Sequence, residues 1–434
     1  MMGRLPPPSS SSSPTLPLLH SYSSSSSSAG TATSLQTLGN IIVSIVGTGV
    51  LGLPFAFRIA GWAAGSLGVL FAGVSTYYCM IILVECRDKL VSDGEIDVRT
   101  YGDVGFKCLG RAGRYVTESL ITVSQCGGAV AYLIFIGQNL SSILAVHGLT
   151  SASFIFLLLP LEVLLSWIDS LSALAPFSIF ADVCNVLAVA FVVDEDVQQA
   201  LSGQFSFKDR RAFSRDIRGL PFAGGMAVFC FEGFGMTLAL ESSMKERGRF
   251  PKLLAQAFAG IMSVYVLFGV FGYMAYGDDT KDIVTLNLPK TWTTMAVQIG
   301  LCLGLAFTFP IMVHPITEIL EEKLRRMAWF KSLHHGGDQD STKSKRERAV
   351  VCLTRGLLIM GLGVLASSVP GFGVFVSLVG SSFCAMMSFV LPATYHLMLM
   401  GGRMSGWKRG LDWCVLVGGI TFAVYGTYNT IAGI

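Results

Sequence analysis

Apolar runs of membrane-spanning length dominate this chain, and neither the period-two alternation of half-buried strands nor a sustained one-sided helical stripe competes with them. Runs of about 17 to 25 residues lie near 35–58, 63–86, 116–146, 152–168, 173–193, 219–240, 253–276, 292–316, 350–368, 371–396 and 410–432. They predict an all-α polytopic membrane protein with eleven transmembrane helices. Two runs carry residues unsuited to a helix interior. Asn40 to Pro54 reads N-I-I-V-S-I-V-G-T-G-V-L-G-L-P, with Gly47-Thr48-Gly49 at its middle. Gly219 to Glu241 places Phe231-Glu232-Gly233 halfway across the sixth span.

A helix broken in lipid strands backbone N–H and C=O groups at several kcal/mol each, so a break persists only where protein or a polar cavity takes over those bonds. A bound solute would serve. Glycine at 47 and 49 lets a ligand approach the backbone, and a restarting helix aims amides and a positive dipole end at it, which suits an anion such as a carboxylate. A Gly-Pro kink that merely brings neighbouring helices close is the alternative. Glu232 is an acid near the bilayer midplane, where a charge costs at least about 2.5 kcal/mol, and it is read as a functional residue or, failing that, as a tie between helices. Breaks in the first and sixth spans are what an inverted repeat of five plus five helices produces, with one further helix at the C-terminus. The breaks should then meet.

Other polar groups inside spans are fewer. Gln125, Gly127, Gly128 and Tyr132 share one face of the third span, which reads as close packing, a substrate wall, or both. Glu162, Asp182, Asn185 and His314 lie near span ends or beside prolines, where snorkelling or pairing is expected. Thr308 offers a hydroxyl in the eighth span that could coordinate an ion. The sequon at Asn139 falls inside the third span and is discounted. No P-loop, zinc-protease motif, nucleophile elbow or paired metal-ligand spacing occurs, so no enzyme chemistry, metal or cofactor is indicated.

Composition agrees. Of 434 residues 52% are hydrophobic and 14% charged, against roughly 25% charged in a soluble domain. Cysteines 79, 126, 184, 230, 302, 352, 384 and 414 lie in apolar runs and read as small buried hydrophobes. The net charge of +3 implies no nucleic-acid partner, because the basic residues sit between spans. About three quarters of the 31 fall on the side of the N-terminus, and most of the others, in the 194–218 loop, are offset by acids there. The N-terminus is therefore expected in the cytosol. Residues 1–32 are Ser- and Pro-rich and are expected to form a disordered cytosolic tail, with residues 33–434 as the transmembrane domain.

The N-x(6)-G-T-G-V-L-G-L-P-F-A-F of the first span, F-C-F-E-G-F-G-M-T-L-A-L-E-S-S-M of the sixth, G-Y-M-A-Y-G-D of the seventh and F-P-I-M-V-H-P of the eighth resemble the amino acid/auxin permease family. The chain looks closest to plant vacuolar amino acid transporters, relatives of the animal proton-coupled amino acid transporters. The resemblance implies a LeuT-type fold and proton-coupled export of small neutral amino acids across the vacuole membrane. It matches Gly47, Thr48 and Gly49 to a substrate carboxylate contact, and Phe231, Glu232 and Gly233 to a break whose carbonyls suit an α-ammonium group. Val50, Cys230, Gln125, Tyr132 and Thr308 complete the expected substrate site, with Glu232 as the proton-coupling residue. Two alternatives stay open, an amino acid sensor that signals through a partner and a plasma-membrane importer.

Overall fold

A computed structural model describes residues 30–95, 98–144, 148–168, 171–201, 210–214, 216–327 and 341–433. The expected tail lies outside it up to residue 29, as do residues 328–340 between the eighth and ninth expected spans. Among the described residues, eight helices are long and apolar enough to cross a membrane, and a bent pair, Ser34–Ile45 with Thr48–Ala60, makes nine. The two other expected spans correspond to a shorter apolar helix, Ser151–Ser166, and to Leu171–Leu201, whose first residues are only partly described.

In chain order the helices are α1 (Ser34–Ile45), α2 (Leu53–Ala60), α3 (Trp62–Ser92), α4 (Tyr101–Leu144), α5 (Ser151–Ser166), α6 (Leu171–Leu201) and α7 (Gly219–Cys230). They continue with α8 (Phe234–Ser243), α9 (Phe250–Tyr276), α10 (Trp292–Arg326), α11 (Ser341–Ser368), α12 (Phe372–Val379), α13 (Leu391–Met400) and α14 (Gly406–Ala432). Two π-type stretches, Gly380–Cys384 and Met386–Val390, join α12 to α13 in one span. The starts follow local chemistry. Thr33 caps α1 in a reciprocal box with Gln36, and Thr150 does the same for α5 with Ser153.

Some boundaries differ from those expected. The third span begins well before residue 116, at Tyr101, because a kink at Leu109 and Gly110 joins a short first segment to the long helix. Gly110 has φ +61, a conformation that favours glycine, and the apolar pattern alone does not reveal that the stretch before it, which carries Asp103 and Lys107, is helical. Likewise α6 runs to Leu201, so Asp194, Glu195 and Asp196, expected in a loop, are helical. The described structure includes residues 30–32 of the expected tail. Ala32 is buried and exchanges backbone hydrogen bonds with the end of α8, its N–H donating to Ser243 O (3.0 Å) and its carbonyl accepting from Lys245 N (3.1 Å).

The span formed by α7 and α8 and the span formed by α12 and α13 lie at the centre, 67% and 72% buried over their most apolar stretches, whereas α14 is 22% buried. A belt of exposed apolar side chains, including Phe71 on α3, Leu157 on α5 and Val424 on α14, is left to face lipid. The interior is aromatic, with Phe57, Phe135, Phe231, Phe234, Phe309, Phe372, Tyr265 and Tyr395 fully buried. Cysteines 79, 230, 302 and 384 are buried as expected, but Cys126, Cys184 and Cys352 are half-buried and Cys414 is exposed, since the peripheral α14 turns it outward. Glu162 neither snorkels nor pairs. It is fully buried, and both carboxyl oxygens lack a hydrogen-bond partner among the described residues. The side chain of Asp182 lies outside the description.

Candidate functional site

The first break begins where α1 ends at Ile45. Val46 closes onto Ile42 O (2.8 Å), Gly47 is extended, and a 3-10 turn over Thr48–Gly52 leads into α2 with a 46° bend. In the second break Phe231 and Glu232 close tight turns onto Val228 O and Phe229 O, each 3.2 Å, and Gly233, with ψ near 7°, precedes α8. Each break therefore leaves the last carbonyls of one half-helix and the first amides of the next without intrahelical partners.

The breaks meet. A Cβ on Gly49 would lie 3.0 Å from Cys230 Sγ and 3.3 Å from the Phe229 ring, and one on Gly233 would lie 3.1 Å from the Ile45 side chain. Tyr265, on α9, joins them from behind. Its hydroxyl lies 3.1 Å from Cys230 O and 3.4 Å from Ile45 O, the terminal carbonyls of α7 and α1, so one donor serves both broken ends. Its ring is held 5.2 Å from that of Phe231, which stacks on Phe258 at 5.8 Å.

Facing the breaks is α4. Ser124 lies beside Glu232, and its hydroxyl lies 3.5 Å from Cys384 Sγ in the first π-type stretch. Glu232 thus sits where the sixth span, α4 and the irregular turn of the tenth converge, half-buried. Such π-type irregularities often accompany function because they free backbone groups. On the same α4 surface Gly127 backs onto Val379 and Gly128 onto Met312, so the glycines bring helices together while Gln125 and Tyr132 stay half-buried beside them.

The expected site residues separate by environment. Gly47, Gln125, Tyr132, Glu232 and Thr308 are half-buried; Thr48, Gly49, Val50, Cys230, Phe231 and Gly233 are buried. A side chain at Gly47 would meet nothing within 4 Å. The Phe231 ring packs into the aromatic core between α3 and α9, so this residue offers the break its backbone and not its side chain. The Thr308 hydroxyl donates to Gly304 O one turn back in α10, at 2.8 Å. Tyr265, Ser124 and Cys384 were not singled out from sequence. A tyrosine in mid-span was the available signal, since a buried phenol hydroxyl needs a partner.

The arrangement has the chemistry of a zwitterion site, with amides for an anion, carbonyls for an ammonium group and an acid alongside. The profile of the family described as "Transmembrane amino acid transporter protein" matches residues 30–432. The chain belongs to that family. This transporter is 62% identical over 421 residues to "Amino acid transporter ANT1" of Arabidopsis thaliana, covering 97% of each chain. It is 35% identical to "Amino acid transporter AVT3C" of the same plant, over 99% of this chain and 96% of that one. "Vacuolar amino acid transporter 3" of Saccharomyces cerevisiae is 29% identical over 90% of this chain and 55% of its own length.

Among solved structures the transporter is similar to "MhsT in complex with L-phenylalanine", with a TM-score of 0.55 and 13% identity over 93% of this chain and all of that one. It is also similar to the inward-facing conformation of Mhp1, with a TM-score of 0.50 and 12% identity over 93% of this chain and 90% of that one. At these identities the likeness is one of fold, and the fold is the LeuT-type arrangement of a non-enzymatic transporter.

Proposed function

We propose that the protein moves small neutral amino acids across the vacuole membrane together with protons, from the vacuole to the cytosol, with its N-terminus in the cytosol. The observation that carries this reading is the contact between two broken spans beside Glu232, which gathers amides, carbonyls and a half-buried acid at one place. A small side chain suits a site where Gly49 already touches Cys230 and the open space lies at Gly47, and a neutral one leaves Glu232 free for a proton. The names of the yeast relatives support the vacuole, and the distribution of basic residues supports the orientation.

In this mechanism the substrate carboxylate takes the amides of the Gly47–Gly49 turn, and its ammonium group takes the carbonyls at the ends of α1 and α7. Glu232 exchanges a proton as its surroundings change between the two access states. Radiolabelled neutral amino acid flux in proteoliposomes, with and without a pH gradient, tests the reading. Saturable, gradient-driven accumulation is expected in wild type. Glu232→Gln, which cannot titrate, is expected to lose accumulation yet retain exchange of internal for external substrate. Saturable binding without flux would overturn transport. Full gradient-driven accumulation in Glu232→Gln would remove the proton from this residue.

A further inference from the structure

A second cluster of acid-base groups lies outside the broken spans. His396 on α13 is buried with both ring nitrogens against carboxylates, Nδ1 2.7 Å from Asp412 Oδ2 on α14 and Nε2 3.2 Å from Glu85 Oε2 on α3. Tyr78, two turns before Glu85, donates its hydroxyl to Asp412 Oδ1 at 2.6 Å. Asp412 is fully buried, His396 is 1% exposed, and the Glu85 side chain is 38% exposed.

Counting protons decides what this geometry is. A neutral imidazole carries one N–H, so between two carboxylates it would satisfy one and turn a lone pair towards the other. Both contacts become hydrogen bonds only when one more proton is present, either as an imidazolium or as a carboxylic acid donating to the ring. We propose that His396, Glu85 and Asp412 form a proton-binding clamp that holds α3 to α13 and α14, separate from the site at Glu232. The half-exposed Glu85 gives the proton its route. The clamp lies on the face where the chain begins, since α3 and α13 end there and α14 starts there.

The surrounding groups fit a single-proton site. From α3 come the Tyr78 hydroxyl and the Cys79 and Cys86 thiols; from α14 comes Lys408, whose charge acts on Glu85. From α4, Cys108 lies near Cys86, Tyr101 and Tyr395; the Tyr101 hydroxyl donates to Met387 O at 2.9 Å and that of Tyr395 is turned away to Thr117 at 2.7 Å. With the proton bound, one positive ring offsets one of two carboxylates and Lys408 offsets the other. Without it, Lys408 still offsets one carboxylate and the other is left uncompensated between α3 and α14. The lost proton therefore loosens α3, which packs against α7 and α9 and so against the broken spans.

The full chain in detergent, without substrate, supplies the test through thermal unfolding between about pH 5 and pH 9, where a histidine-centred site titrates. The protonated clamp stabilises the fold at the acid end, and that stability is lost as pH rises through its transition. Wild type is expected to show this alkaline loss, His396→Gln to lack it, and Glu85→Gln to move it down by about one pH unit or more, because one neighbouring carboxylate is gone. Wild-type behaviour in a folded His396→Gln protein overturns the clamp. Should that variant fail to fold, an unmoved transition in Glu85→Gln overturns it equally. A second arm rests on the transport reading: exchange flux against pH on the N-terminal face should be flattened in His396→Gln. An absence of wild-type flux would sink the transport reading and leave the unfolding result to judge the clamp.

Discussion

Gly47 and Gly49 stand two residues apart in the same broken turn, yet a side chain at each meets different surroundings. At Gly47 it enters open space from an extended backbone that any residue can adopt. Gly47→Ala and Gly47→Val are therefore expected to keep stability within about 0.5 kcal/mol of wild type. Their uptake should fall by about tenfold or more if the space belongs to the substrate, corresponding to about 1.4 kcal/mol of lost binding. At Gly49 the new side chain meets Cys230 and Phe229, so Gly49→Val should cost about 1–3 kcal/mol of stability by overpacking. Thermal unfolding and initial uptake rates on the same preparations separate the two effects, and near-normal uptake in a folded Gly47→Val protein would remove the carboxylate from this turn. Tyr265 permits a milder change. Tyr265→Phe keeps the packing on Phe231 but leaves the carbonyls of Ile45 and Cys230 without their shared donor, at about 1–3 kcal/mol. Slower uptake with an intact fold is the expected result, and an unchanged rate would show that solvent replaces the hydroxyl. The glycines and Glu232 were legible in the sequence because a break and an acid in lipid each carry a cost that must be met. Tyr265 was not, because its value depends on which two carbonyls its hydroxyl reaches, and their meeting belongs to the fold.

Segments outside the apolar runs were the hardest to read from sequence. The first turns of α4 before Gly110 and the last turns of α6 are polar, so a hydropathy window ends before the helix does; packing and backbone hydrogen bonds carry these helices on. The segment before α1 is a similar case. Gly30 lies so close to the α8 end that a Cβ there would come within 2.4 Å of Ser243 backbone atoms, and Ala32 shares two backbone bonds with the same place. This strap ties the outer end of α1 to the outer end of α8, while Tyr265 ties their neighbouring breaks. The two half-helices are thereby joined at both ends and are expected to move as one unit. Gly30→Val should lift the strap without touching either break. Amide exchange at Lys245, which donates to Ala32 O, should then accelerate by about fivefold or more, corresponding to a loss of about 1 kcal/mol. Unchanged exchange would mean that the α8 end is held by its other contacts. Chief among these is the buried Arg87–Glu241 ion pair between α3 and α8.

On the scale of the whole molecule, the broken spans pack with α3 and α9, whereas α4, α5, α10 and α11 pack with one another, and the candidate site lies where the two groups face. The fold and its two interruptions could be anticipated from the apolar runs and the motifs they carry; which end of the site is closed could not, because closure depends on contacts between loops far apart in sequence. Here the end bounded by α2 and α7 is closed by the loop between α9 and α10. Asp282 in that loop accepts from Gln138 Nε2 of α4 at 3.2 Å and from the Gly373 amide of α12 at 3.4 Å. Nearby, Arg58 of α2 donates to Thr280 O (2.8 Å), and Thr285 donates to Asn139 of α4 (2.8 Å). One loop thus bonds to helices of both groups, so their separation at this end must break its bonds. Asp282→Ala removes the two bonds made by the carboxylate and leaves the Arg58 and Thr285 contacts in place. Losing a charge-assisted bond of about 1.5–3 kcal/mol shifts the closed-to-open balance by roughly tenfold to a hundredfold. The variant should show faster amide exchange across residues 282–286 and a raised apparent affinity for substrate offered from that end, since less closure has to be undone before binding. Wild-type exchange in the loop together with wild-type affinity would show that Asp282 is not part of the closure, and would leave Arg58 and Asn139 to hold it.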